Sequence, residues 1–128
     1  MSDKKVTILL VEDEPDILDL MEEQFNDFGF KTLTACCGHD AISILENHSV
    51  NIVLSDFRMP NGNGRVILDE VNSIEAKNRP LFFFVSGHAD ISEEEALNNG
   101  VLKLFSKPFD LGHMIDTIND YCKKADLL

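Results

Sequence analysis

Basic charge is scarce in this 128-residue chain: 11 Lys plus Arg stand against 23 Asp plus Glu, a formal net charge of −12. A nonspecific nucleic-acid binder needs cationic surface to displace counterions, so no direct nucleic-acid partner is expected. Long apolar runs are missing too. The opening "MSDKKVTILL" has two lysines, but its apolar stretch is far too short for a secretory signal or a membrane span. A cytoplasmic protein with no membrane contact is the expectation. Paired cysteines are also absent. Cys36, Cys37 and Cys122 are odd in number and two are adjacent, which suggests no disulfide framework and favours reduced thiols. Cys37 and His39 lie close together, yet no second pair stands at zinc spacing. Packing residues at a strand end are the preferred reading. With no repeat, low-complexity tract or linker, residues 1–128 read as one domain, and 44% hydrophobic content suits a globular core.

What is present is an alternation. "KVTILLVE" (Lys5 to Glu12) is a β-branched apolar run, the pattern of a strand covered on both faces. Pro15 opens a helix in which Ile17, Leu18, Met21, Phe25 and Phe28 recur at roughly helical spacing until Gly29 stops the run. "KTLTAC" reads as a second strand, and His39 to Ser49 as a helix with Ile42 and Leu45 inward. "NIVLSD" is a third strand, followed by a helix from Arg65 to Asn78. "PLFFFVS" is a fourth, buried strand. Ser92 caps a helix that has three glutamates in its first turn and ends at Gly100. "VLKLFSK" is the fifth strand, and Asp110 to Lys124 the last helix. Five β-then-α units predict a parallel α/β sheet with helices on both faces.

In such sheets ligands bind beyond the carboxyl ends of the strands. The first strand ends in Glu12 and Asp13, the third in Asp56, the fourth in Ser86 and the fifth in Lys107. Taken singly, each is ordinary: a capping acid, an Asx-turn, turn chemistry, a snorkelling lysine. Four strands delivering polar groups to one edge favour a site. Glu12, Asp13 and Asp56 would repel one another if ionised and close, unless a cation intervenes. Hard carboxylate oxygens without nearby His or thiolate favour Mg²⁺ or Mn²⁺, and a hydroxyl with an ammonium suits phosphoryl chemistry. Central Asp56 is the candidate nucleophile, forming an aspartyl phosphate that Ser86 and Lys107 would hydrogen-bond and neutralise. Glu12 and Asp13 are the candidate metal holders.

"LLVEDEPD", "IVLSDFRMPNGNG", "FFFVSGHA" and "LFSKPF", in this order and spacing, resemble the receiver domain of two-component response regulators. The resemblance covers essentially the whole chain. It implies a flavodoxin-like (βα)5 sandwich, with a five-stranded parallel sheet in the order 2-1-3-4-5. Asp56 then matches the phosphoacceptor, modified to 4-aspartylphosphate from a histidine kinase's phosphohistidine. Asp13, Asp56 and the backbone carbonyl of Arg58 match metal ligands, and Glu12 an acid that helps position the metal. Ser86 matches the switch hydroxyl, Lys107 the cation on the phosphoryl group, and Pro108 a proline preceded by a cis peptide. Arg58 and His88 match variable positions that modulate the lifetime of the phosphorylated state. Leu104 stands where the family commonly has an aromatic, so switching through the fourth helix, fifth strand and fifth helix would use a leucine instead.

The implied partners are a sensor histidine kinase or histidine phosphotransfer protein and a downstream protein, with a phosphorylation-dependent homodimer left open. The receiver would catalyse its own phosphorylation and dephosphorylation, not metabolic turnover. A phosphorylation-independent docking receiver is one alternative. An aspartate-nucleophile phosphatase is another, but its second acid would stand where Arg58 is. Flavodoxin-like flavin binding would need a phosphate loop where "EDEPD" is instead hostile to phosphate.

Overall fold

Bulky apolar runs become the central strands of one sheet. The computed structural model describes residues 6–87 and 90–127. Strands β1 (Thr7–Val11), β2 (Lys31–Ala35), β3 (Ile52–Asp56), β4 (Leu81–Ser86) and β5 (Lys103–Ser106) alternate with helices α1 (Pro15–Asp27), α2 (Gly38–Asn47), α3 (Gly64–Ser73), α4 (Glu93–Asn98) and α5 (Leu111–Lys124). The strand order is β2-β1-β3-β4-β5, every pair parallel. This is the flavodoxin-like arrangement expected from the sequence.

Period-two alternation divides the strand residues between two cores. Ile8, Leu10, Ile52, Leu54, Phe83, Val85 and Phe105 face α1 and α5, where Met21, Phe25, Met114 and Ile118 meet them. Leu9, Val11, Val53, Phe82 and Phe84 face the other way, against Ala41, Ile67, Leu68, Val71 and Ala96 of α2, α3 and α4. Because both faces are covered, β1 is apolar from Ile8 to Val11, β3 from Ile52 to Leu54 and β4 from Leu81 to Val85, with polar residues only at the strand ends. Burying each Phe or Leu contributes about 2–3 kcal/mol relative to leaving it in water.

Several boundaries and faces differ from expectation. Helix α1 stops at Asp27, so Phe28 lies beyond its last turn, 49% exposed and stacked on Phe30 instead of pointing inward. In α2 it is Ala41 that is fully buried, with Ile44 and Leu45 packed beside it, while Ile42 stays outside that core. Helix α3 ends at Ser73, and Ala76–Asn78 form a separate 3-10 turn. Ser92 does cap α4, accepting the Glu95 amide at 3.0 Å.

Between its neighbours β2 and β3, β1 sits where the chain reverses its direction of travel across the sheet. A crevice therefore opens beyond the carboxyl ends of β1 and β3.

Candidate phosphoacceptor site

Asp56 is the last residue of β3, paired in register with Val85 of β4. Its carboxylate is only 3% exposed. Oδ2 accepts a 3.0 Å hydrogen bond from Nζ of Lys107, which follows β5. Oδ1 is buried and has no hydrogen-bond partner among the described residues. A buried carboxylate oxygen left unpaired is costly, and proteins retain such groups where a ligand supplies the missing partner.

Two further acids arrive from β1. Glu12, 2% exposed, donates its backbone N–H to Ala35 O at 3.1 Å and accepts the Glu14 amide on Oε2 at 3.1 Å. Asp13 follows, half-buried. Glu12, Asp13 and Asp56 each offer one carboxylate oxygen, and these lie within 4.8 Å of one another. Three hard oxygen donors at that spacing suit a small divalent cation.

The electrostatics record the crowding. Burial pushes the Glu12 carboxyl up to about 7; the Glu14 amide pulls it down, and the Asp56 charge pushes it up again. Burial also raises Asp56, against the hydrogen bond and charge of Lys107. Burial alone would lower Lys107, but its hydrogen bond to Asp56 and the charges of Asp56, Glu12 and Glu14 hold it above its ordinary value. The site carries more negative charge than its one ammonium balances.

The loop after β3 is built to stay thin. Gly64 opens α3 with its amide on Phe57 O at 2.7 Å. A Cβ there would lie 2.5 Å from Phe84 Cε1 and 3.0 Å from Asp56 O, so any side chain would push on the strand that carries the carboxylate. Gly62, at φ +98°, adopts the left-handed conformation that glycine permits, and Asn63 caps α3 by accepting the Arg65 amide at 2.9 Å. The peptide between Lys107 and Pro108 is cis.

A cleft of about 400 Å³ opens here, lined by Asp13, Glu14, Asp56, Arg58, Gly87, Asp90 and Lys107. Ser86 ends β4 next to this cleft but does not line it. Its hydroxyl lies 2.7 Å from Gly87 O and 3.3 Å from Asp90 Oδ2. The Arg58 side chain, 79% exposed, reaches to Asp90. His88 lies outside the described residues. Leu104 pairs with Phe84 in register and packs on the α4 side, while Phe105 is buried on the opposite face against Phe83. Leu104 also lines a second hollow of about 400 Å³ with Phe109, Asp110 and His113; that hollow contains none of the acid cluster.

Sequence reasoning thus located Glu12, Asp13, Asp56 and Lys107, which the fold brings together. It placed Glu14 just beyond the first strand without giving it a role, and it passed over Asp90. Asp90 sits in the irregular stretch before α4, where no periodicity marks an inward residue. Its one signal is an acid four positions after Ser86.

Residues 8–119 match the family model of the response regulator receiver domain. The chain belongs to that family. This receiver is 32% identical over 114 residues to the sporulation initiation phosphotransferase F of Bacillus subtilis (strain 168), an alignment covering 89% of this chain and 91% of that protein. It is 28% identical over 126 residues to the transcriptional regulatory protein GlrR of Escherichia coli (strain K12), covering 98% of this chain but only 28% of that protein's length. Among solved structures, the receiver domain of the sensor histidine kinase PA1611 from Pseudomonas aeruginosa PAO1 superposes with a TM-score of 0.78 at 23% identity, over 91% of this chain and 96% of that one. That structure has a magnesium ion coordinated in its active site cleft. The shared fold is a receiver's, and the acid cluster lies at the crevice this fold provides. Among the described residues no helix is long and apolar enough to cross a membrane.

Proposed function

We propose that this receiver accepts a phosphoryl group on Asp56 from the phosphohistidine of a sensor histidine kinase or histidine phosphotransfer protein, in a reaction that depends on Mg²⁺. The observation that carries the reading is the division of labour on one buried carboxylate. Asp56 Oδ2 is held by Lys107 at 3.0 Å, Oδ1 has no partner among the described residues, and the carboxylate lies in reach of two further acids.

The residues fit a divalent cation. Glu12, Asp13 and Asp56 would hold it, with the Arg58 backbone carbonyl completing the protein donors that the family resemblance implies. When bound, the cation neutralises the acid cluster and the charge of the incoming phosphoryl oxygens. Asp56 acts as nucleophile: a bond forms between a carboxylate oxygen and phosphorus as the phosphorus–nitrogen bond of the donor breaks, and the imidazole leaves with its electron pair. Lys107, already fixed by Asp56, supplies a preorganised positive charge where phosphoryl oxygens would lie. The Ser86 hydroxyl, at the end of the adjacent strand, would hydrogen-bond a phosphoryl oxygen after leaving Gly87 O. Leu104, across the strand pair from Phe84, is then the side chain through which α4, β5 and α5 respond to that movement. Arg58 and His88 would set how readily water attacks the acyl phosphate.

Intact-protein mass spectrometry with Mg²⁺ and acetyl phosphate, beside Asp56→Asn, tests this reading. One phosphoryl adduct is expected in the parent chain, abolished by chelator and absent from the variant. No adduct in the parent, with the fold intact by circular dichroism, would leave a docking module without phosphoryl chemistry.

A further inference from the structure

Asp90 belongs to no helix or strand, yet its side chain is only 5% exposed. A buried carboxylate needs donors for both oxygens, and Asp90 finds them on two different loops. Oδ1 accepts Nε of Arg58 at 2.9 Å and also meets a terminal nitrogen of the same guanidinium. Oδ2 accepts the Gly87 amide at 3.2 Å and lies 3.3 Å from the Ser86 hydroxyl. One carboxylate therefore ties the loop after β3, two residues past Asp56, to the end of β4. A side chain that merely fastened its own loop would have no use for Arg58, 32 residues away.

We propose that Asp90 is a positioning residue, a latch that holds the Ser86 hydroxyl and the Arg58 guanidinium in the unphosphorylated arrangement and must release them for phosphorylation to switch the domain. This rests on the function proposed above. The Ser86 hydroxyl has one proton. Among the described residues its acceptors are Gly87 O and Asp90, both on its own loop, so it cannot serve a phosphoryl oxygen without leaving them. A phosphoryl group on Asp56 presents fresh anionic oxygens that compete with Asp90 for the serine proton and for the arginine. The latch thus sets the fraction of molecules ready to accept the group, and weakening it raises that fraction.

Asp90→Asn tests the idea with little change in volume. An amide offers one oxygen where the carboxylate offers two, so it cannot satisfy both Arg58 and the Ser86–Gly87 pair. The first readout needs neither metal nor phosphate: the Ser86 side-chain rotamer, from three-bond NMR couplings in the unphosphorylated chain. One rotamer is expected in the parent chain and an averaged set in Asp90→Asn. The second is the phosphorylation rate with acetyl phosphate and Mg²⁺, which should rise roughly three- to tenfold in Asp90→Asn. That gain should vanish in a Ser86→Ala background, because the latch acts through the serine.

An averaged Ser86 in the parent, an unchanged rate in the variant, or an equal gain without Ser86 would each overturn the latch alone. No phosphoryl uptake by the parent would overturn the proposed function, and the latch as a kinetic device with it. Should Asp90→Asn not fold, Arg58→Ala removes the other half of the tie from a side chain 79% exposed, and Ser86 must then lose its single rotamer for the proposal to stand.

Discussion

Replacing Glu12 by Gln should make the metal-free protein more stable at neutral pH, although it removes a residue of the candidate site. Glu12 is 2% exposed, and burial pushes its carboxyl up to about 7 from an ordinary 4.5, with the neighbouring Asp56 charge adding to the effect. A folded-state pKa above the unfolded one means that the folded chain binds more protons between those two values. The stabilising contribution of this group is therefore fully present below about pH 4.5 and is lost as pH rises through about 7. At 1.36 kcal/mol per unit the loss amounts to about 3 kcal/mol. Asp56, also raised by burial, acts with the same sign. Asp90 acts oppositely: burial raises it, but the Arg58 hydrogen bond and charge bring it below its ordinary 3.8, so its contribution is lost only on acidification below this window. Gln keeps an oxygen to accept the Glu14 amide and discards the charge. Urea unfolding followed by circular dichroism from pH 5 to 8, with chelator present, should show parent stability falling as pH rises. The Gln variant should fall less steeply, keeping the Asp56 contribution, and be about 2–3 kcal/mol more stable at pH 8, a midpoint ~1–2 M urea higher. Adding Mg²⁺ should then close the gap, since a ligand at a hundred times its dissociation constant stabilises the parent by about 2.7 kcal/mol. A parent whose stability is flat or rises over this range, or a Gln variant no more stable than the parent, would refute the claim that the acid cluster is electrostatically strained without a cation.

Lys107→Met removes the partner of Asp56 Oδ2 and leaves a buried carboxylate unbalanced. Metal-free stability at pH 7.5 should fall by about 1–3 kcal/mol, and the yield of phosphoryl adduct should drop even with Mg²⁺ present; urea unfolding and mass spectrometry check the two parts. Gly64→Ala would force a methyl to within 2.5 Å of Phe84 and 3.0 Å of the Asp56 carbonyl. A loss of about 1–3 kcal/mol is expected, with amide shift changes at Asp56 and Phe57 in the NMR spectrum. Asp110→Ala removes the cap that accepts the His113 amide at 3.1 Å and should cost about 1 kcal/mol in urea unfolding, with phosphoryl uptake unchanged because Asp110 does not line the cleft at Asp56.

The parts of this molecule legible from sequence are those in which one local pattern decides the outcome. "ILLV", "IVL" and "FFFV" are too bulky and uniformly apolar to be anything but strands covered on both faces, and their order already places Glu12, Asp56 and Ser86 at one edge. Given a parallel sheet, the acid cluster follows from topology alone. Periodicity fails where competing faces carry similar residues. Around α2, Ile42, Ile44 and Leu45 spread over more than one face, and the position that fits closest against the sheet is occupied by Ala41, too small to weigh in a hydrophobic pattern. Phe28 looked inward only on the assumption that α1 continued past Asp27. Once the helix ends there, the spacing no longer describes a face, and the half-exposed ring stacks on the buried Phe30 instead.

Asp90 was illegible for a different reason. Its burial depends on a partner 32 residues away in another loop, and neither loop has a repeat from which the meeting could be read. The same holds for the Ser86 hydroxyl: sequence placed it at the strand end but said nothing of which neighbour would take its proton. In this chain regular elements deliver the groups of the candidate site, and irregular loops decide how those groups are held. Differences in switching between receivers with the same acids and lysine should therefore trace to loop positions such as 58, 86 and 90. Exchanging those side chains should alter rates of phosphorylation and decay, while exchanges within the apolar strands should register mainly as changes in stability.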